Sequence, residues 1–156
     1  MPNFLNFNYF KRHQGYGTIF LRLLVGSFII WGVQDNVFSY ERMEEFAAFL
    51  AARNVPLPLF SAFLSVYVQL ICGISILLGA WIRLAAIFLI INFIAAIIIA
   101  HLDDSFRGML PALMMLASGF FFLFNGAGKL SVDEMLESRR GLKVAPDVGS
   151  PSPDMG

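Results

Sequence analysis

A single cysteine, Cys72, excludes an intrachain disulfide, and its isolation excludes a CxxC redox or zinc site. Charge is scarce as well. Asp, Glu, Lys and Arg make up 14% of the chain, where an ordinary soluble domain carries about a quarter. The formal net charge is +0, so nothing in the composition points to a nucleic-acid partner. Histidine is almost missing: His13 and His101 are the only 2, and they do not form the pair on facing helices that would hold a haem. There is no HExxH, no dinucleotide fingerprint and no Ser/His/Asp constellation. Catalytic residues, metal ligands and covalently held cofactors are all expected to be none.

What the chain has in abundance is apolar residues, at 58%. Its charges are clustered, which leaves residues 54–82, 84–102 and 108–128 without any Asp, Glu, Lys or Arg. Each run approaches or exceeds the roughly 18–20 residues a helix needs to cross the hydrocarbon core. Residues 16–33 are equally apolar apart from Arg22. The pattern predicts an all-α membrane protein, a four-transmembrane-helix bundle with spans at about 16–34, 58–80, 83–101 and 109–126. Barrel strands are excluded because the runs are continuously apolar and do not alternate. Lys11 and Arg12 before an apolar stretch resemble the start of a signal peptide. However, Trp31-Gly32-Val33-Gln34-Asp35-Asn36 offers no small-x-small cleavage site, so the first span is expected to be retained.

Lys and Arg near the span ends set the orientation. Lys11, Arg12, Arg83, Lys129, Arg139, Arg140 and Lys143 collect on one side. Arg42, Arg53 and Arg107 fall on the other, mixed with Glu41, Glu44, Glu45, Asp103 and Asp104. Both termini are therefore expected in the cytoplasm, with the protein in a bacterial cytoplasmic (inner) membrane. Residues 1–15 form the N-terminal segment, and the proline-bearing tail 142–156 is expected to be disordered. In the first outside loop Met43, Phe46 and Leu50 recur at helical spacing after Ser39, a ready N-cap. That predicts a short amphipathic interfacial helix.

Polar side chains inside a bilayer are costly and need a partner or a purpose. In the second span Ser65, Gln69, Cys72, Gly73 and Gly79 share one small, polar face. Asn92 in the third span and Asn125 at the end of the fourth extend such faces to their neighbours. Small faces let helices approach closely, and one amide can bridge two of them. Gln69 and Asn92 therefore read either as interhelical hydrogen bonds or as lining of a site. Arg22 reads either as a clamp on carbonyls or headgroups at the cytoplasmic end, or as part of that site. His101, just before Asp103 and Asp104, reads as a solvated helix end, with a proton relay or a weak metal corner as the alternatives; a metal site usually needs three or four converging ligands.

The stretch Phe124-Asn125-Gly126-Ala127-Gly128-Lys129-Leu130-Ser131-Val132-Asp133-Glu134 superficially suggests a phosphate loop. Leu130 separates Lys129 from Ser131, and the preceding element is a phenylalanine-rich span, so that reading fails. Asn125 and the glycines end the span. Ser131-x-x-Glu134 is a capping box that opens a short surface helix over 131–141.

Over about residues 16–134 the chain resembles the DoxX family of small four-helix membrane proteins. The resemblance rests on Arg22-Leu23-Leu24-Val25-Gly26 followed by Gly32-Val33-Gln34, and on Pro56 and Pro58 ahead of the second span. It continues with Gly73, Leu77-Leu78-Gly79 and Arg83 across the tight turn, Ala100-His101, and Gly126-Ala127-Gly128-Lys129-Leu130-Ser131-Val132-Asp133 at the exit. The chain departs from the family pattern at Asp35, where a lysine is usual, and at Gln69, where a glutamate is frequent. The resemblance implies a small subunit of a membrane redox assembly linked to thiol, thiosulfate or quinol oxidation.

Two functions follow. The first is a non-enzymatic accessory subunit that packs into and stabilises a larger membrane complex, with other subunits and lipids as its partners. The second is a quinone-linked oxidoreductase subunit, with Arg22, Gln69, Asn92 and His101 lining a quinone pocket. A small-solute carrier is a weaker third, prompted only by the polar stripe.

Overall fold

The computed structural model describes residues 14–101 and 105–141. Most of the described chain is helical, and the described residues contain no strand. Helix α1 spans Gln14–Phe38, α2 Tyr40–Ala51 and α3 Pro58–Leu78. Helix α4 spans Ile82–Ala96 and runs on into a π-helical turn, Ile97–His101; α5 spans Phe106–Asn125 and α6 Val132–Gly141. Among the described residues, segments Gly15–Phe38, Pro58–Leu78, Ile82–Ala100 and Phe106–Asn125 are the 4 long and apolar enough to cross a membrane. The expectations for the N-terminal segment before residue 14, for Asp103 and Asp104, and for the tail 142–156 lie outside the described residues.

Helix α1 is longer than the apolar run that predicts it. It continues through Gln34-Asp35-Asn36 and stops only at Ser39, whose φ of −130° and ψ of 117° are extended. Apolarity decides where a span meets water, whereas backbone geometry decides where a helix stops, and no Gly or Pro interrupts residues 33–38. Ser39 then caps α2, accepting a hydrogen bond from the Arg42 amide at 3.4 Å. Helix α2 folds back onto the bundle. Its buried Met43, Ala47 and Leu50 meet Val33, Ala62 and Val66. Phe46, expected on that stripe, is only partly buried, because Ala47 takes the position nearest the bundle.

The spans pack in the order α1 on α3, α3 on α4 and α4 on α5. Without hydrophobic drive between helices in lipid, close approach depends on small residues. Gly26 of α1 faces Gly73 of α3 so closely that a Cβ on Gly26 would lie 2.6 Å from Leu77 Cγ and 2.9 Å from the Gly73 carbonyl oxygen. At the α4–α5 seam a Cβ on Gly119 would lie 2.8 Å from Ile90 Cγ1. Val25, Ile76, Ile82, Ala86, Leu89 and Phe122 fill one core between these seams. Phe20, Leu24, Trp31, Ile71 and Phe124 point outward, as lipid-facing residues should.

Helix α3 ends at Gly79, with φ +65°. The Gly79 amide donates to Ile76 O at 3.2 Å and the Ala80 amide to Ser75 O at 3.0 Å, the two bonds of a Schellman end. Trp81, at φ +48°, then opens α4 directly. The turn is very tight, and both α1 and the segment leaving α5 close over it.

Candidate functional site

Arg22 stands on α1 with 4% of its surface exposed. Its Nε donates to Ile76 O at 3.0 Å and its Nη2 to Leu77 O at 2.8 Å. Its Nη1 lies 3.3 Å from both Ala127 O and Leu130 O. Two of these carbonyls end α3, where the helix leaves acceptors unpaired and the dipole favours a cation. The other two belong to the segment that leaves α5. Of the two readings of Arg22, the geometry is that of a carbonyl clamp: one guanidinium fastens three parts of the chain.

The exit segment is held from several sides. The Lys129 amide donates to Gly15 O at 3.1 Å, which ties the segment to the start of α1. Ser131 Oγ accepts from the Glu134 amide at 3.1 Å and donates to Gly128 O at 2.8 Å. Glu134 Oε2 accepts from the Leu130 amide at 2.7 Å. The usual capping box returns to the cap residue's own amide; here Leu130, at φ +52°, brings the preceding amide round instead. Asp133 crosses to another helix altogether. Its Oδ1 accepts from the Trp81 amide at 2.7 Å and its Oδ2 from the Ile82 amide at 3.1 Å. Helix α4 begins without a cap of its own, and that uncapped start was the one sequence signal for this role of Asp133.

The other polar cluster lies between α3 and α4, toward the end that carries α2. Ser65 Oγ donates to Asn92 Oδ1 at 2.9 Å, and Gln69 Nε2 donates to Ser65 Oγ at 3.3 Å. Asn92 Nδ2 is buried and has no hydrogen-bond partner. A cavity of about 410 Å³ adjoins it, lined by Ser65, Asn92, Phe88 and Ile99, with Phe46 and Phe49 of α2 above. The remaining lining is almost wholly aliphatic. Arg53 holds this roof in place: its Cζ sits 4.0 Å from the Phe49 ring centroid, and its Nη1 donates to Ile99 O at 3.1 Å. One basic side chain thus joins the end of α2 to the π-helical turn that walls the cavity.

The expected site residues therefore separate. Gln69 and Asn92 come together through Ser65. Arg22 is apart from them: its α3 partner Ile76 is two turns beyond Gln69, about 10 Å along the helix. His101 is the last residue of the π-helical turn, and its side chain lies outside the described part of the chain. On the expected packing face Cys72 and Gly73 are buried between helices. Gly79 is buried as well, but as a turn residue beneath Arg22. Asn125 departs from that face. It is exposed, and its Nδ2 turns back to Phe121 O at 3.1 Å, because it belongs to the last turn of α5, beyond the seam. Among the described residues no group of three or more His, Cys, Asp or Glu side chains is placed to hold a metal ion.

The DoxX family model matches residues 17–102, which takes in the first three spans and α2. An uncharacterized membrane protein of Mycobacterium tuberculosis is 31% identical over 141 residues, covering 78% of this chain and 82% of the relative. No solved structure matches the chain at a significant level. With Arg22, the Gly26–Gly73 seam and the Gly79–Arg83 turn all inside the matched region, the chain belongs to the DoxX family of membrane proteins.

Proposed function

We propose that this protein is an accessory subunit of a bacterial inner-membrane redox complex, and that its part is to bind a quinone-class molecule in the cavity under α2. The observation that carries this is the orphaned Asn92 Nδ2 beside an apolar space of about 410 Å³. A buried amide without an acceptor costs about 1–3 kcal/mol. A flat, apolar molecule bearing carbonyl oxygens fits the lining, and a turn of the Asn92 side chain, whose Nδ2 is itself buried, would bring that nitrogen to a ligand carbonyl. Ser65, itself held by Gln69, donates to the Asn92 amide oxygen, which leaves the amide nitrogen to donate. Neither Ser65 nor Asn92 gives or takes an electron, so another subunit completes any redox step, and the role here is to bind and orient.

The test is a titration of the purified protein in lipid nanodiscs with short-chain ubiquinone and menaquinone analogues. Saturable binding is expected, weakened about tenfold by Asn92→Ala, the worth of one buried hydrogen bond. No saturable binding, or equal affinity in the variant, would sink the quinone reading. Co-purification in mild detergent checks the accessory role separately: a protein that always runs without a stoichiometric partner counts against it.

A further inference from the structure

The end of the bundle where α1 begins and α6 lies holds a second, more polar cavity of about 590 Å³. Arg83 of α4 and Asp133, Glu134 and Glu137 of α6 reach it. Asp133 is committed to the Trp81 and Ile82 amides, and Glu134 Oε2 to the Leu130 amide. Arg83 and Glu137 make no hydrogen bond or ion pair with any described residue. The Arg83 guanidinium lies over Gly126, where an added Cβ would stand 3.6 Å from Nε and Nη2. Among the described residues the cavity therefore presents one free cation and one free carboxylate. It also sits at a membrane boundary. The α4 span begins at Ile82, and Trp81 and Leu84 on the cavity wall are 72% and 54% exposed. Indole rings favour headgroup depth.

We infer that this cavity binds a phospholipid headgroup carrying both a phosphate and a primary ammonium, that is, a phosphoethanolamine lipid. Arg83 takes the phosphate through its planar fork, and Glu137 accepts from the ammonium. The acyl chains leave past Leu84 into the bilayer. A purely anionic headgroup would set its charge against three carboxylates and gain one arginine. A choline headgroup has the right charges, but its nitrogen has no hydrogen to donate to Glu137. The proposal rests on this cavity alone and is independent of the quinone reading.

The test titrates the full-length protein in detergent micelles with short-chain phosphatidylethanolamine, phosphatidylglycerol and phosphatidylcholine, and with free phosphoethanolamine. Phosphatidylethanolamine is expected to bind saturably and about tenfold more tightly than the other two lipids, the worth of one charge-assisted hydrogen bond. Glu137→Gln, which keeps an acceptor oxygen but loses the charge, is expected to reduce the preference for phosphatidylethanolamine over phosphatidylcholine, and Arg83→Gln to weaken all three lipids. Both positions are exposed and unpaired, so the variants should melt with the wild type. Equal binding of the three lipids, an unchanged preference in Glu137→Gln, or wild-type affinity in Arg83→Gln overturns the proposal. Free phosphoethanolamine binding as tightly as the lipid also overturns it, because the site would then serve a soluble zwitterion.

Discussion

The guanidinium of Arg22 occupies the space that a side chain on Gly79 would need. A Cβ built on Gly79 would stand 2.6 Å from both Cζ and Nη2 of Arg22, and 2.6 Å from Ser131 Cβ. The residue also sits at φ +65°, where an L side chain costs about 1–2 kcal/mol before any contact is counted. Gly79→Ala is therefore expected to be destabilising twice over, once through the backbone and once by pushing Arg22 off its carbonyls. Thermal unfolding in detergent should show a clearly lowered midpoint. A midpoint equal to that of the wild type would mean that the clamp is slack.

Arg22→Lys asks whether charge alone is enough. An ammonium keeps the cation near the end of α3 but loses the planar fork that spans Ile76, Leu77, Ala127 and Leu130. Hydrogen bonds to a charged group are worth about 1.5–3 kcal/mol each, and they do not add simply. A loss of about 2–4 kcal/mol is expected, together with faster proteolysis between residues 126 and 131. Quinone binding under α2 should be unchanged in the folded variant, because Arg22 does not reach that cavity. A variant that binds quinone more weakly while melting normally would return Arg22 to the ligand site.

Asp133→Ala removes the cap of a helix that lies 51 residues away in sequence. The Trp81 and Ile82 amides would lose their acceptors, at a cost of about 1–2 kcal/mol for a lost N-cap. Asp133→Asn keeps one acceptor oxygen and should lose less. Hydrogen exchange reads this directly: the Trp81 and Ile82 amides should exchange faster in the alanine variant while those of Leu89 and Ile90 stay protected. If all four amides respond together, Asp133 supports the whole bundle and not this cap.

These relationships also show what the sequence could and could not reveal. The spans were legible because a run of apolar residues without charge has one stable place to go, and α2 was legible from Ser39 and the spacing of Met43 and Leu50. The capping role of Ser131 and Glu134 could be read for the same reason: its parts are local. The partners of Arg22 and Asp133 are carbonyls and amides, which every residue carries, so nothing in the side-chain pattern singles out Ile76, Ala127 or Trp81. The cavity was hidden for a related reason. Its polar members, Ser65 and Asn92, were visible singly, but the empty volume beside them depends on how α2 folds back and on the π-helical turn, Ile97–His101. Neither follows from periodicity. Asn125 misled because its spacing continues the α5 face, while its position in the last turn lets the side chain bond to its own helix.

Asn92→Leu separates stability from binding, because the two should move in opposite directions. Asn92 Nδ2 is buried without a partner, a cost of about 1–3 kcal/mol that a leucine, of the same branched outline and with the adjoining cavity to take its extra bulk, does not carry. Ser65 would lose its acceptor, but a helical serine can turn its hydroxyl to the carbonyl one turn back, as Ser118 does with Met114 O at 2.7 Å. The free variant is therefore expected to melt at or above the wild-type temperature. Its stabilisation by added quinone analogue should vanish, since that stabilisation grows with the ratio of ligand concentration to Kd. A variant that melts lower would show that Asn92 is a structural bridge between α3 and α4 and nothing more. A variant that melts higher yet keeps the full ligand-induced shift would move the binding site elsewhere on the bundle. Only a gain in intrinsic stability coupled to loss of the shift fits an amide retained at an energetic cost because a ligand completes it.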